Sequence, residues 1–212
     1  FAWVHIECRL APDTLEMVRR ARKTSGVSYI LSVELEKTYL PQHEVCLLAA
    51  EADIIFFSKD WVVKNAMPAD AGAPEACDDS VIVAALQTAA AKFRSTAAAR
   101  TRLLICGWGS KGAFALDATT GKHYFEAAAR VDSVVDSVGA GDTFIATSIF
   151  ALAKGCDIQA VLKCACAVAG GKVAQVGFSG LARHVPPDVL ASSQHEQSEP
   201  PCKVQRVEKV DR

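Results

Sequence analysis

The pattern of apolar and polar positions switches repeatedly between strand-like and helix-like spacing along the first half of this chain. Short runs rich in β-branched and aromatic residues alternate with longer segments in which apolar positions recur at helical spacing. The runs that predict strands are residues 2–8, 27–34, 53–57 and 102–106. The segments that predict helices are residues 12–23, 42–50 and 80–100. Because parallel strands need crossover connections, this alternation predicts an α/β protein with a mostly parallel sheet.

The pattern changes in the second half. Residues 114–116 and 123–125 flank a polar turn with the sequence Thr-Thr-Gly, which predicts an antiparallel hairpin added to the sheet. Two valines, Val134 and Val135, predict the end of a further strand, and an apolar helix follows from about Asp142. Another helix is predicted over residues 157–173. Residues 67–79, with two prolines and scattered acids, predict a surface loop.

Length and composition predict one domain. The chain has 212 residues, of which 50% are hydrophobic, enough to form one sizeable core. We assign residues 1–185 to this domain. From residue 186 the composition changes to Pro, Gln, Ser, Glu and Lys, which predicts a disordered tail over residues 186–212. The chain opens at Phe1 inside a predicted strand, so we expect its natural beginning to lie upstream.

Charge and cysteine usage narrow the range of partners and compartments. Lysine and arginine total 23 against 24 acidic residues, a net charge of −1. No basic block suggests a nucleic-acid or anionic-membrane surface, so we expect a small-molecule ligand, no nucleic acid and no membrane. The eight cysteines include no Cys-x-x-Cys pair, which favours reduced thiols. No apolar run is long enough to span a bilayer and no signal peptide is recognisable, so we expect a cytoplasmic protein.

The chemistry that stands out lies in the turn before the apolar helix. Gly139 and Gly141 permit a tight turn, and Asp142 follows in the first helical turn. Unpaired amides and the positive end of a helix dipole form an anion site. A carboxylate beside such a site suits phosphoryl transfer, because the amides neutralise the moving group while the carboxylate accepts the proton of an attacking hydroxyl. The alternative is that the glycines only shape a loop and Asp142 complements the dipole.

Polar residues also follow each predicted parallel strand. Ligands of open parallel sheets bind outside the carboxyl ends of the strands, so these positions should share one edge. They could equally be a coincidental set of loop residues. The set consists of Glu7, Arg9, Glu34, Glu36, Lys37, Ser58, Lys59, Asp60, Gly107, Trp108, Gly109 and Gly112.

The longer string around this turn is specific. Residues 136–144 read Asp-Ser-Val-Gly-Ala-Gly-Asp-Thr-Phe, which resembles the signature of the ribokinase-like sugar kinases, the phosphofructokinase-B superfamily. Residues 3–9, Trp-Val-His-Ile-Glu-Cys-Arg, and residues 56–60, Phe-Phe-Ser-Lys-Asp, resemble its fructose 1-kinase branch. The resemblance covers residues 1 to 182. It implies a three-layer α/β/α ribokinase-like fold and transfer of phosphate from ATP to a sugar hydroxyl, here the 1-hydroxyl of a ketose such as fructose.

The resemblance also implies roles for individual residues. Asp142 would be the catalytic base, and the turn of Gly139, Ala140 and Gly141 would form the anion hole with the amide of Asp142. Magnesium would bridge the ATP phosphates, and Glu34 or Glu36 would hold it through water, a choice that the sequence leaves open. A homodimer is compatible with the resemblance. The residues expected beside the nucleotide and its phosphates are Arg9, Lys59, Gly107, Trp108, Gly109, Gly112, Cys166 and Gly170.

Two departures from the family pattern matter. Residues 58–61 read Ser-Lys-Asp-Trp where the wider family carries an Asn-x-x-Glu motif near its metal. The family's amino-terminal strands, sugar-binding positions and small β lid have no counterpart in residues 1–212. Two alternatives therefore stand beside the ketose kinase: a non-catalytic nucleotide-binding module derived from it, or a family member with adenosine, ribose or another sugar as acceptor.

Overall fold

A single six-stranded sheet organises the part of the chain that the computed structural model describes, residues 2–24, 29–74, 77–95 and 99–191. The strands stand in the sheet in the order in which they occur along the chain. They are β1 (Trp3–Glu7), β2 (Ile30–Leu35), β3 (Ile54–Phe57), β4 (Leu103–Gly107), β5 (Gly112–Asp117) and β6 (His123–Ala127). Strands β1 to β4 run parallel, whereas β5 and β6 are antiparallel to their neighbours. The predicted mostly parallel sheet with an added hairpin is confirmed.

Helices cover both faces of this sheet. They are α1 (Ala11–Thr24), α2 (Gln42–Glu51), α3 (Lys59–Asn65), α4 (Asp79–Phe93), α5 (Ala140–Ala153), α6 (Ile158–Val173) and α7 (Pro187–Ala191). Helices α1 to α4 connect the parallel strands, and α5 and α6 follow the hairpin. Within the described ranges, no helix combines the length and the apolarity needed to cross a membrane.

The pleat divides the strand side chains between two cores. Val33, Ile55 and Leu104 point to the face covered by α1 to α4 and are fully buried there. Phe56 and Ile105 point to the opposite face and pack against α5 and α6. Strand β3 is buried on both faces, as expected of an inner parallel strand. The result is the three-layer α/β/α architecture expected from the resemblance.

Capping side chains explain where two helices begin. Ser58 accepts a hydrogen bond from the Trp61 amide at 3.1 Å and starts α3. Asp157 accepts one from the Ala160 amide at 2.9 Å and starts α6. Each satisfies one of the unpaired amides at a helix amino end. Helix α3 was not predicted, because its seven residues are too few to show a clear period.

The prediction that Val134 and Val135 end a strand was wrong. No strand lies in residues 128–139 of the described structure. The amides of Val135 and Asp136 instead donate to the carbonyl of Val173 at the end of α6, at 2.7 and 3.2 Å. The segment therefore pairs with a helix end rather than with the sheet, and Val134 and Val135 are 68% and 53% exposed, respectively.

Three further boundaries differ from the predictions. Helix α4 starts at Asp79, the last residue of the predicted loop, and ends at Phe93 rather than near residue 100. Residues 187–191 of the predicted disordered tail form the short helix α7. Residues 192–212 of that tail lie outside the described residues, as do 25–28 in the predicted second strand and 96–98 in the predicted long helix.

Close backbone packing in the hairpin makes Gly112 sensitive to substitution. Its φ is +126°, and a Cβ atom there would lie 2.0 Å from the Glu126 carbonyl oxygen. We expect Gly112→Ala to lower the free energy of unfolding by about 3 kcal/mol or more, because both strain and overlap oppose the side chain. Gly121→Ala is the matched control: φ there is +75° with nothing within 4 Å of the added atom, and about 1 kcal/mol is expected. Urea denaturation measures both, and equal losses would refute the packing argument.

Candidate active site

The glycine-rich turn, residues 136–142, is held at both ends by its own polar groups. Gly139 has φ +75° and stands at the amino-terminal boundary of α5, a backbone conformation that glycine adopts most easily. The carbonyl of Gly139 accepts the Thr143 amide at 2.9 Å and the Thr143 hydroxyl at 2.8 Å. At the other end, Asp136 Oδ1 accepts the Val138 amide at 3.0 Å. The turn therefore has a defined shape before any ligand arrives.

Two amides in the first turn of α5 remain available for an anion. The Ala140 amide donates to the Ser137 carbonyl at 3.2 Å and is engaged. The Gly141 and Asp142 amides have no acceptor within the described part of the chain. They lie in the first turn of the fourteen-residue α5, where the helix dipole favours negative charge. The Asp142 carboxylate is exposed beside them.

Contacts on both sides locate this turn above the middle of the sheet edge. The buried ring of Phe144 lies about 3.9 Å from the position of a Cβ on Gly107, at the end of β4. The charge of Asp142 acts on Glu34, near the end of β2. Strand β3 lies between β2 and β4, and the half-buried Lys59 follows it as the first residue of α3. Asp142 and Lys59 thus share the carboxyl edge of the sheet, where ligands of such sheets bind.

Arg9 and Lys37 lie at the same edge within a small network of charges. The Arg9 guanidinium contacts Glu7 at 2.8 Å and its side chain is 66% exposed. This contact holds the pKa of Arg9 above its usual value. Lys37 pairs with Glu36 and lies 3.9 Å from Glu7. Arg9 can therefore reach a phosphate only by exchanging or sharing its carboxylate partner.

Glu34 is the carboxyl group whose pKa is most affected by this neighbourhood. Burial, together with the smaller effects of the negative charges of Glu36, Glu7 and Asp142, raises the pKa of Glu34 to about 7, and the charge of Lys37 opposes them. A carboxyl group with a pKa near neutrality can hold a proton at physiological pH. Sequence reasoning placed Glu34 at the edge but gave no sign of this shift, which depends on tertiary burial.

Four predicted residues lie between the end of β4 and the start of β5, and they have different roles in the structure. Gly107 and Gly109 lie along the edge, and the space above Gly109 is open. The Trp108 ring is buried against Phe114 and donates to the Pro74 carbonyl at 3.1 Å, so it points into the core rather than to a ligand. Gly112 is needed for hairpin packing. Of the four, only Gly107 and Gly109 leave backbone accessible to a nucleotide.

The predicted adenine wall on α6 is engaged in packing. Cys166 is 7% exposed, and its thiol lies 4.0 Å from the Glu126 carbonyl. Burial raises the pKa of this thiol to about 12, which makes it unreactive. A Cβ on Gly170 would lie 2.6 Å from the Ala129 side chain. Both positions therefore pack α6 against β6 and the chain that follows β6.

An apolar groove next to Asp142 was not predicted. It has a volume of about 480 Å³ and runs between α5, α6 and the segment before α7. Ala146, Phe150, Val168, Phe178 and Leu181 contribute to its walls, with Asp142 and Thr143 at one end. The exposed apolar positions on α5 were a signal, but only the packing of α5 on α6 shows which of them face the same space.

The structure offers no ready metal cage. No cluster of three histidine, cysteine or acidic residues is suitably placed in the part of the chain that the structure describes. Magnesium in phosphotransferases is commonly held by one or two carboxylates together with phosphate oxygens and water. Glu34 and Glu36 are compatible with such a limited role.

A family model with the description "pfkB family carbohydrate kinase" matches residues 6–182 of this chain. Mouse ketohexokinase is 34% identical over 188 residues, which cover 85% of this chain and 55% of the mouse protein. The chain thus spans about half the length of this curated relative.

Solved structures show a shared fold. Arabidopsis thaliana ribokinase, complexed with ribose and ATP, superimposes with a TM-score of 0.63 at 19% identity, covering 92% of this chain and 56% of that one. Giardia lamblia ribokinase gives a TM-score of 0.65 at 20% identity, with coverage of 90% and 59%. These likenesses confirm the α/β ribokinase fold.

The raised pKa of Glu34 predicts a pH-dependent stability. The group binds its proton more tightly in the folded state than in the unfolded chain, where the ordinary value is 4.5. Its contribution to stability is therefore complete below about pH 4.5 and is lost as pH rises through about 7. Glu34→Gln should raise the melting temperature at pH 8 and leave it nearly unchanged at pH 4.5, in metal-free buffer. The exposed Glu16 supplies the control variant Glu16→Gln; a Glu34→Gln effect that does not grow between these pH values would contradict the assignment.

Proposed function

Since this chain belongs to the pfkB family of carbohydrate kinases, we propose that it transfers the γ-phosphoryl group of ATP to a sugar hydroxyl. One observation carries the proposal. The exposed carboxylate of Asp142 stands beside two amides without acceptors at the amino end of α5, on the ligand-binding edge of a parallel sheet. That combination supplies a base and an anion site within one helical turn.

Each group has a distinct task in this proposal. Asp142 accepts the proton of the attacking hydroxyl, which makes that oxygen a better nucleophile. The amides of Gly141 and Asp142 donate to the phosphoryl oxygens, and the α5 dipole adds positive potential at the same place. Because these donors are held by the turn, little reorganisation is needed during the reaction.

Cations and backbone at the strand ends would bind the rest of the nucleotide. Lys59, at the start of α3, would approach the phosphates, and Arg9 would join it by sharing Glu7. Gly107 and Gly109 would let the nucleotide approach the backbone. Magnesium, when bound with ATP, would neutralise phosphate charge, and Glu34 or Glu36 would contact it through water.

We further propose a ketose as the acceptor, phosphorylated at its 1-hydroxyl. Support comes from the 34% identity to mouse ketohexokinase. Ribose and adenosine are the competing acceptors, and they are best separated by experiment. We also propose that residues 1–185 form one domain of a cytoplasmic protein and that the complete protein forms a homodimer.

Asp142→Asn tests the base. The substitution keeps the size of the side chain and removes its ability to take a proton, so we expect kcat to fall about a thousand-fold while the Kd for ATP changes little. Asp157→Asn is the control, because Asp157 also stands at a helix amino end, that of α6, and is not part of the turn. Near-normal turnover by Asp142→Asn would show that another group is the base.

Turnover of the unsubstituted chain decides among the functions. Release of ADP is measured with fructose, ribose, adenosine or no acceptor, on protein shown to be folded. Fructose-dependent release supports the ketose kinase, whereas preference for ribose or adenosine keeps the family and changes the acceptor. ATP binding without turnover would overturn the kinase proposal for this chain and favour a non-catalytic nucleotide-binding module.

A further inference from the structure

Among the residues that the structure describes, one lysine is completely buried. Lys172 lies near the end of α6, and its side chain has no exposed surface. Its ammonium donates to Asp136 Oδ2 at 2.8 Å and to the Asp136 carbonyl at 3.0 Å. It also lies 5.2 Å from the centre of the Phe178 ring, within the range of a cation–π contact.

Such a charge is an unusual way to fill space. Removing an ammonium from water is costly, and well-packed apolar side chains often replace buried ion pairs without loss of stability. Asp136 itself is partly exposed, with 25% of its side-chain surface accessible. The Lys172–Asp136 ion pair is therefore better explained by the two segments that it connects than by a contribution to the stability of the core.

The pair joins the end of α6 to the glycine-rich turn. Asp136 begins that turn, and its second carboxylate oxygen accepts the Val138 amide. The Lys172 hydrogen bond is the main reason that the pKa of Asp136 lies below its ordinary value, which keeps the carboxylate charged. The carbonyl of Val173, next to Lys172, accepts the amides of Val135 and Asp136.

A third segment is tied to the same point. Phe178 follows α6 in the chain, and its ring covers the turn: a Cβ on Gly139 would lie 2.5 Å from the ring edge. The Phe178 ring therefore has the Lys172 ammonium over its face and the turn at its edge. The same ring forms part of the groove wall beside Asp142.

We propose that Lys172 is a positioning residue. It holds the glycine-rich turn, and the chain around Phe178 that follows α6, in the geometry required for ligand binding. It acts through Asp136 and Phe178 and does not itself contact the ligand. The two hydrogen bonds to Asp136 fix where the turn begins, and the remaining ammonium surface faces the ring. The available amides of Gly141 and Asp142 follow five and six positions after Asp136, so their direction depends on this anchor. The ligand-binding part of the inference rests on the proposed function.

The test compares single and double variants of the full chain. The single variants are Lys172→Met and Asp136→Asn, the double variant combines them, and Lys163→Met on the exposed face of α6 is the control. Three quantities are measured: the melting temperature, the hydrogen exchange of a peptide over residues 135–143 relative to β3, and the Kd for ATP. The double variant separates positioning from stability, because it removes the buried charge together with its partner.

We expect exchange in residues 135–143 to rise about ten-fold in Lys172→Met while β3 is unchanged, since the turn opens locally. The Kd for ATP should rise about ten-fold, because the amides are no longer preorganised. The double variant should recover most of the melting temperature lost in Asp136→Asn but neither the slow exchange nor the affinity. Lys163→Met should match the unsubstituted chain in all three.

Recovery of exchange and affinity together with the melting temperature would overturn the proposal, because the pair would then act on stability alone. Unchanged exchange in Lys172→Met would overturn it as well. If the unsubstituted chain binds no ATP, the proposed function fails, and the exchange of residues 135–143 decides whether Lys172 positions the turn.

Discussion

The amino end of α5 has to stand at the carboxyl edge of the sheet with its amides uncovered, and much of the described structure follows from that constraint. A helix end buried against protein would need partners for its amides. Here the Gly139 conformation and the two Thr143 bonds to its carbonyl shape the turn, so that Gly141 and Asp142 face outwards. The buried Phe144, two residues after Asp142 in α5, packs the helix onto the sheet.

Two kinds of force hold this helix end in place. Apolar burial is the first: Phe144 and Ile145 of α5 pack with Phe56 and Ile105 of the sheet, which fixes the distance between helix and strands. Directional bonds are the second, because the Lys172 pair and the Val173 carbonyl fix the chain that enters the turn. Apolar contacts alone would leave the turn free to rotate, since they have little directional preference.

Side chains of both charges lie at the carboxyl edge of the sheet. Carboxylates of Glu7, Glu34 and Glu36 lie close to a site proposed for an anionic nucleotide, and Asp142 adds to their repulsion. Arg9 and Lys37 offset part of this charge through their ion pairs. A nucleotide that arrived with magnesium would reduce the repulsion further. The partly protonated state of Glu34 near neutral pH has the same effect, because a neutral carboxyl group adds no negative charge.

Sequence alone determined the elements and the identity of the central turn. The periodicity of apolar positions predicted β1 to β6 and α1, α2, α5 and α6 with small boundary errors. It did so because burial of one or both faces of an element dictates which of its positions are apolar. The string around Asp142 pointed to phosphoryl transfer and to the family that the comparisons then showed. Only the tertiary structure decided what these residues contact. The segment of Val134 and Val135 pairs with a helix end, and Trp108 and Gly112 support packing. Lys172 is buried beside the turn. These outcomes depend on which segments meet in space, and local sequence pattern carries no information about a partner far away along the chain.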